Sequence, residues 1–340
     1  MKGRSIVLDQ HGGREAAALL VDGRLDDLLI DDPSAPRPGT VYRAVADRGL
    51  KGQGGMILRV PGGTAWLRHA QGMGAGDTLL VQVTGVPDGG KAVPVTDRVL
   101  FKSRFAIVTP GAPGINVSRQ VRDEEARARL LAVAQAAMEG PHGLIVRSAA
   151  AGASDEAVAE DIAAMCDLAL KVTADAAGPP ETLVAGDGPH ALAWREWDAP
   201  SVDAKPGGFA RAGVLEQIDA LRRPEVPLGE GSMVVEPTRA LVAVDVNTGG
   251  DASPAAALKA NLAAARQLPR QLRLRGLGGQ VAVDFASMPK AQRRQVEQSL
   301  RDGFRLDPVE TSLVGWTAMG LFELNRKRER VPLARVLEAP

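Results

Sequence analysis

Residues 241–250 read L-V-A-V-D-V-N-T-G-G. Four apolar residues run into a carboxylate, Asp245, and Asn247 follows two positions later. Thirty-nine residues on, the pattern returns as Q-V-A-V-D-F-A-S-M, with Asp284 in the same place. Both runs read as apolar on both faces, which predicts central strands of a sheet covered by helices. Between them, A-A-A-L-K-A-N-L-A-A-A-R-Q-L-P-R-Q-L-R-L-R predicts a crossover helix over about 253–275, kinked at Pro269 and ended by G-L-G-G. If the two strands run the same way, Asp245 and Asp284 fall at corresponding ends, where open α/β sheets place their ligand sites.

Two carboxylates and a carboxamide, without His or Cys, form a hard-oxygen set. Mg²⁺ is held by one or two carboxylates completed by water and substrate phosphate. Two like charges brought close also call for a cation. From 259 to 340 the chain carries 15 Lys or Arg against 8 Asp or Glu, a net of +7, so the first 258 residues carry −7. That asymmetry points to an anionic partner for the basic part. Acids for a metal amid arginines for phosphates is the layout of phosphodiester chemistry. The plain alternative is a pair of strand-end residues capping the next turn. G-L-G-G follows a helix and precedes a strand, the wrong order for a dinucleotide fingerprint. The four His show no metal spacing, and nothing suggests a Ser/His/Asp triad.

The 340 residues leave room for two to four domains. No apolar run is long enough to span a membrane, and the N-terminus lacks a secretory layout, so a cytoplasmic protein is expected. The single cysteine, Cys166, excludes an intramolecular disulfide and a Cys-rich zinc site. Strands are expected at 4–9 and 18–30, with a turn at Asp22–Gly23, then a Pro-rich connector at 31–39. Five short strands between about 40 and 98 suit a small barrel of OB type. Trp66 on such a barrel could stack a base and Lys91 could meet a phosphate; core packing of Trp66 is the competing reading. Residues 101–175 read as α/β, with helices at about 122–138 and 154–172, the second opened by Ser154. An amphipathic helix at 214–223 precedes a β-β-α-β-α-β-α stretch whose helices fall near 253–275, 289–303 and 318–330.

A-L-V-A-V-D-V-N-T-G, then R-Q-L-R-L-R-G-L-G-G-Q-V-A-V-D-F-A-S-M, then M-G-L-F-E-L-N-R-K-R resembles the catalytic region of the ribonuclease E/G family. Upstream, V-L-E-Q-I-D-A-L resembles the helix before that region. G-P-H-G-L-I-V-R-S-A and G-I-N-V-S-R-Q-V resemble the two sides of the family's 5′-sensor. The resemblance covers nearly the whole chain. It implies a multidomain α/β (α+β) fold: an RNase H-like scaffold in two parts (1–36 and 179–227), an inserted OB-fold RNA-binding domain (37–100), a 5′-sensor (101–178) and a DNase I-like catalytic domain (228–340).

The same resemblance implies an endoribonuclease that cleaves single-stranded RNA with Mg²⁺, Mn²⁺ being the alternative, and leaves 5′-phosphate ends in RNA processing or decay. Asp245 and Asp284 would bind the metal, and Asn247 would orient Asp245. Arg147 and Ser148 would grip a 5′-monophosphate, with Arg119 nearby and Ile107 lining the pocket; a guanidinium fork suits such a phosphate. Met56, Trp66 and Lys91 would contact RNA from the barrel. The loop after Asn247 is trimmed to T-G-G-D, Ser148 stands where Thr is usual, and no C-P-x-C motif occurs. No zinc is therefore expected, and a monomer or homodimer is expected rather than a zinc-linked tetramer. Two other readings fit parts of the pattern: a non-cleaving RNA-binding relative, and a different α/β enzyme using Mg²⁺ on another phosphate substrate. Retention of all three polar residues favours the nuclease.

Overall fold

A computed structural model describes residues 3–50, 54–70, 72–87 and 89–338. Met1, Lys2 and 339–340, included in the expected first and last domains, lie outside the described residues. The chain divides into two compact units, Met1–Asp32 with Ala199–Pro340, and Pro33–Asp198. Among the described residues no helix is long and apolar enough to cross a membrane.

The unit at Pro33–Asp198 holds the barrel. Its strands are Val41–Leu50, Gly55–Val60, Gly63–Leu67, Thr78–Val83 and Val93–Thr96, the five expected runs. Val41–Leu50 pairs with Gly55–Val60 on one side and Thr78–Val83 on the other, which closes the ring. A closed five-stranded barrel is consistent with the OB type. Its interior is filled by Ala44, Leu58, Ala65 and Val81. Outside the ring, Glu181–Val184 pairs antiparallel with Val41–Leu50.

In the same unit, Gly114–Val117, Gly143–Val146, Ala106–Thr109 and Phe101–Lys102 form a second sheet in that order. Helices Glu124–Ala137 and Asp155–Ala174 share a core with it, where Val108, Leu144 and Val146 meet Leu130, Ile162 and Cys166. Each helix starts where its sequence provides a side-chain acceptor. Asp123 caps the first through the Ala126 N–H, and Ser154 caps the second through the Ala157 N–H, satisfying donors a helix end leaves open.

The other unit contains a four-stranded sheet (Ser201–Asp203, Arg4–His11, Arg14–Val21, Arg24–Ile30) packed with Phe209, Val214 and Ile218. It also contains a six-stranded sheet in the order Glu225–Pro227, Ser232–Pro237, Val242–Asn247, Gly279–Asp284, Phe322–Arg326, Thr311–Trp316. Only the central pair, Val242–Asn247 and Gly279–Asp284, is parallel. Helix Pro254–Leu274 makes the crossover, capped by Ser253 and carrying Pro269 inside it.

Three expectations change here. The 318–330 stretch is not a helix: Phe322–Arg326 is a strand, antiparallel to Gly279–Asp284. Its residues alternate buried and exposed, from Phe322 in, Glu323 out, to Arg326 in, a period of two that its basic composition obscured. The two acid-bearing strands are also not covered on both faces. Val242, Val244, Val246, Val281 and Val283 share a core with Leu268, Leu272, Val296 and Leu300 of Pro254–Leu274 and Lys290–Leu306. The opposite face leaves Asp245, Asn247, Gln280, Asp284, Glu323 and Asn325 exposed. Small Ala243 and Ala282, two residues before the acids and on the same face, look apolar in sequence yet are only half-buried.

The third change concerns part of the basic stretch: Arg270, Arg273, Arg275, Arg326 and Arg330 turn into the packing, while Lys259, Arg266, Lys290, Arg294, Arg301, Arg305, Lys327 and Arg328 stay exposed. Arg273 and Arg326 both hold Asp307, the second at 2.8 Å. Arg273 reaches Asp26 at 3.2 Å, and Arg330 holds Asp27 at 2.9 Å. Arg275 donates to the Leu221 and Arg223 carbonyls, and Arg270 to the Leu25 carbonyl. Burial pushes the Arg270 guanidinium down to about 10. These arginines brace the packing of this unit and are not laid out for phosphates.

Candidate active site

Asp245 and Asp284 are direct partners in the parallel ladder. Neighbouring strands stand ~4.8 Å apart and alternate side chains share a face, so both carboxylates leave the open face side by side. Each is the last or near-last residue of its strand. Asn247, two residues beyond, shares that face, and its Nδ2 donates a 2.7 Å hydrogen bond to Asp245 Oδ2. Among the described residues, neither acid has an ion-pair partner. Both oxygens of Asp284 and one of Asp245 are left for another ligand.

The chain beyond Asp284 is pinned by Asn261, fully buried on the crossover helix. Its Nδ2 donates to the Ala286 carbonyl at 2.8 Å, and its Oδ1 accepts from the Ala286 N–H at 2.9 Å. One side chain thereby satisfies both backbone groups of a residue just past the acid. By periodicity alone a lone Asn in a helix reads as solvated, and no role is assigned to Asn261 from the sequence. Its only signal was position, on a turn facing the two acid-bearing strands.

Fit to a divalent ion can be judged from the donors. Two adjacent carboxylates without a cation repel and supply hard oxygens. Among the described residues no group of three or more His, Cys, Asp or Glu converges to hold a metal. A two-carboxylate set of this kind suits Mg²⁺, which keeps water and substrate oxygens as its other ligands.

The remaining candidate residues fall in the Pro33–Asp198 unit. Arg147 follows strand Gly143–Val146, and its N–H bonds the Phe105 carbonyl at 2.8 Å. Ile107 faces Ile145 across the ladder, on the face away from the helices and toward the side of Arg147. The Arg147 guanidinium donates to the Ser103 carbonyl at 2.6 Å, the Arg195 carbonyl at 3.3 Å and the Glu196 carboxylate at 2.5 Å. Ser103 and Phe105 are themselves tied to Asp161 of the long helix, at 2.5 and 2.9 Å. Ser148 donates its hydroxyl to Gln120 Oε1 at 2.9 Å, which brings the two motif segments together. Arg119, beside Gln120, is exposed.

On the barrel, Trp66 is half-buried. Its ring lies against the backbone at Gly55, where a Cβ would come within 2.0 Å of it, so only glycine fits beneath. Lys91 is exposed. Met56 does not belong to this surface. It is 6% exposed within the barrel core, opposite Leu67, because its place on the pleat turns it inward while Ile57 and Trp66 turn out. An RNA contact from Met56 is therefore withdrawn.

A family model described as the Ribonuclease E/G family matches residues 101–197 and 198–329. The chain belongs to the ribonuclease E/G family. Ribonuclease G of Escherichia coli strain K12 is 30% identical over 303 residues, covering 77% of this chain and 62% of that protein. Ribonuclease G of Haemophilus influenzae is 28% identical over 304 residues, 77% and 62% of the two chains. Ribonuclease E of Nostoc is 29% identical over 295 residues, 74% of this chain and 43% of its own. The chain thus spans about three fifths or less of the curated relatives it matches.

Proposed function

We propose that this protein is an endoribonuclease that hydrolyses single-stranded RNA with Mg²⁺ and leaves 5′-phosphate ends. The observation that carries this reading is the Asp245–Asp284 register on an open face, with Asn247 bonded to Asp245. Membership of the family supports it. In this reading 1–36 and 179–227 are the two parts of an RNase H-like scaffold, 37–100 an OB-fold RNA-binding domain, 101–178 a 5′-sensor, and 228–340 a DNase I-like catalytic domain.

Asp245 and Asp284 would hold the ion between them. When bound, the ion would supply an activated water and a counter-charge for the phosphodiester. Asn247 fixes the carboxylate plane of Asp245, and Asn261 fixes the backbone beyond Asp284, so neither acid must reorganise as substrate enters. Trp66 offers its outer ring face to a base and Lys91 a charge to the backbone. Arg147 and Ser148, with Arg119 and Ile107 at the rim, would read a 5′-monophosphate.

The test is cleavage of a 5′-monophosphorylated, A/U-rich single-stranded RNA with Mg²⁺. Asp245→Asn and Asp284→Asn should each lower the rate by on the order of 10³–10⁴-fold while RNA binding persists. Wild-type rates in both variants would remove the metal-site assignment. An inactive wild type that still binds RNA would leave a non-cleaving relative.

A further inference from the structure

Arg147 and Arg195 converge on a single carboxylate. Glu196 Oε1 accepts from Arg195 Nε at 2.7 Å, and Glu196 Oε2 accepts from Arg147 Nη2 at 2.5 Å. Arg195 is held in place by Asp187. Burial pushes the Glu196 carboxyl up, but Arg147 and Arg195 outweigh it and hold it below the ordinary range. Removing the Glu196 bond would not release Arg147, because the Ser103 and Arg195 carbonyls still hold its Nη1. The neighbouring Ser148 hydroxyl is likewise spent on an internal acceptor, Gln120.

A carboxylate bridging two guanidinium groups has the charge and oxygen spacing of one edge of a phosphate. We infer that Arg195 joins Arg147 in a two-arginine site for a 5′-terminal phosphate, and that the Glu196 carboxylate fills this site in the free protein as an internal stand-in. The inference rests on reading Arg147 as a 5′-phosphate sensor. Binding is then an exchange: the terminal phosphate takes the place of Glu196 on both arginines and of Gln120 on Ser148. A phosphate monoester carries close to two negative charges near neutral pH and three acceptor oxygens, so it competes with a single carboxylate where a 5′-hydroxyl cannot. Glu196 sets the threshold, since an end with too little charge leaves the stand-in in place.

The readout is the ratio of affinities of the full chain for a ten-nucleotide RNA with a 5′-monophosphate and its 5′-hydroxyl twin, measured by fluorescence anisotropy in EDTA. Taking the ratio cancels any general loss of folded protein. Glu196→Gln should raise the ratio about tenfold, because the competing contact loses its charge. Arg195→Ala should lower it about tenfold, and Arg147→Ala should bring it to one. A wild type that prefers the monophosphate and loses the preference in Arg147→Ala, with Glu196→Gln and Arg195→Ala unchanged, overturns the two-arginine site and keeps the sensor. Ratios of one in the wild type and in Glu196→Gln overturn the sensor reading as well.

Discussion

Asp307 is enclosed, with Arg273 and Arg326 on its two oxygens and no side-chain exposure. Asp245 and Asp284, in the same unit, stand exposed, and among the described residues neither has an ion-pair partner. Arginines flank Asp284 and Asp307 alike in sequence, and charge counting alone would give both acids such partners. The difference lies in which face each residue occupies. Arg326 and Arg273 point into the packed side, where a lone acid could not be tolerated and a lone guanidinium could not either. The strand ends point outward, where water makes an unpaired carboxylate affordable. Charge in this protein is thus neutralised from within where it braces the fold, and left open where a ligand can complete it.

Five substitutions test that contrast, from largest effect to smallest. The Asp245→Asn and Asp284→Asn variants should lose the activity described above yet unfold at the wild-type midpoint or slightly higher, by thermal melting without metal; a large drop would mean the acids brace the fold. Asp307→Ala takes the carboxylate from buried Arg326 and leaves Arg273 only its Asp26 and Asp27 partners, and should cost its unit about 3–5 kcal/mol in urea titration. A neutral outcome there would erase the distinction between the two acid sites. Asn247→Ala should leave stability unchanged and lower activity or metal affinity by roughly 10–100-fold, the usual size for a group that orients a ligand. Smallest, Ser154→Ala should cost about 1 kcal/mol in the other unit, seen as a lower melting temperature with the cleavage rate intact at 25 °C.

Much of the architecture was legible locally. The five barrel runs, the crossover helix with Ser253 and Pro254 at its start, and the Ser154 cap are short-range patterns, and each formed as its spacing implied. The V-A-V-D repeat announced two strand ends, and the parallel ladder made them neighbours. Phe322–Arg326 was misread because a cluster of cations outweighed an alternation only five residues long. Met56 was misplaced because one step along a strand reverses the face, and the closure of the barrel decides which face is inside. Asn261, Asp161 and Glu196 carried no local signal, since each acts on a backbone or side chain far away in sequence.

The sequence by itself determined most of the strands and helices, the Ser154 and Ser253 caps, and that two acids terminate matching strands. These are consequences of backbone periodicity and of groups within a few residues of one another. Only the tertiary structure decided that one face of the six-stranded sheet stays open, that Arg270, Arg273, Arg275, Arg326 and Arg330 serve as internal braces, and that Arg147 and Arg195 share Glu196. Those outcomes depend on which surfaces pack, because burial sets the cost of an unpaired charge, and burial is a property of the assembled chain.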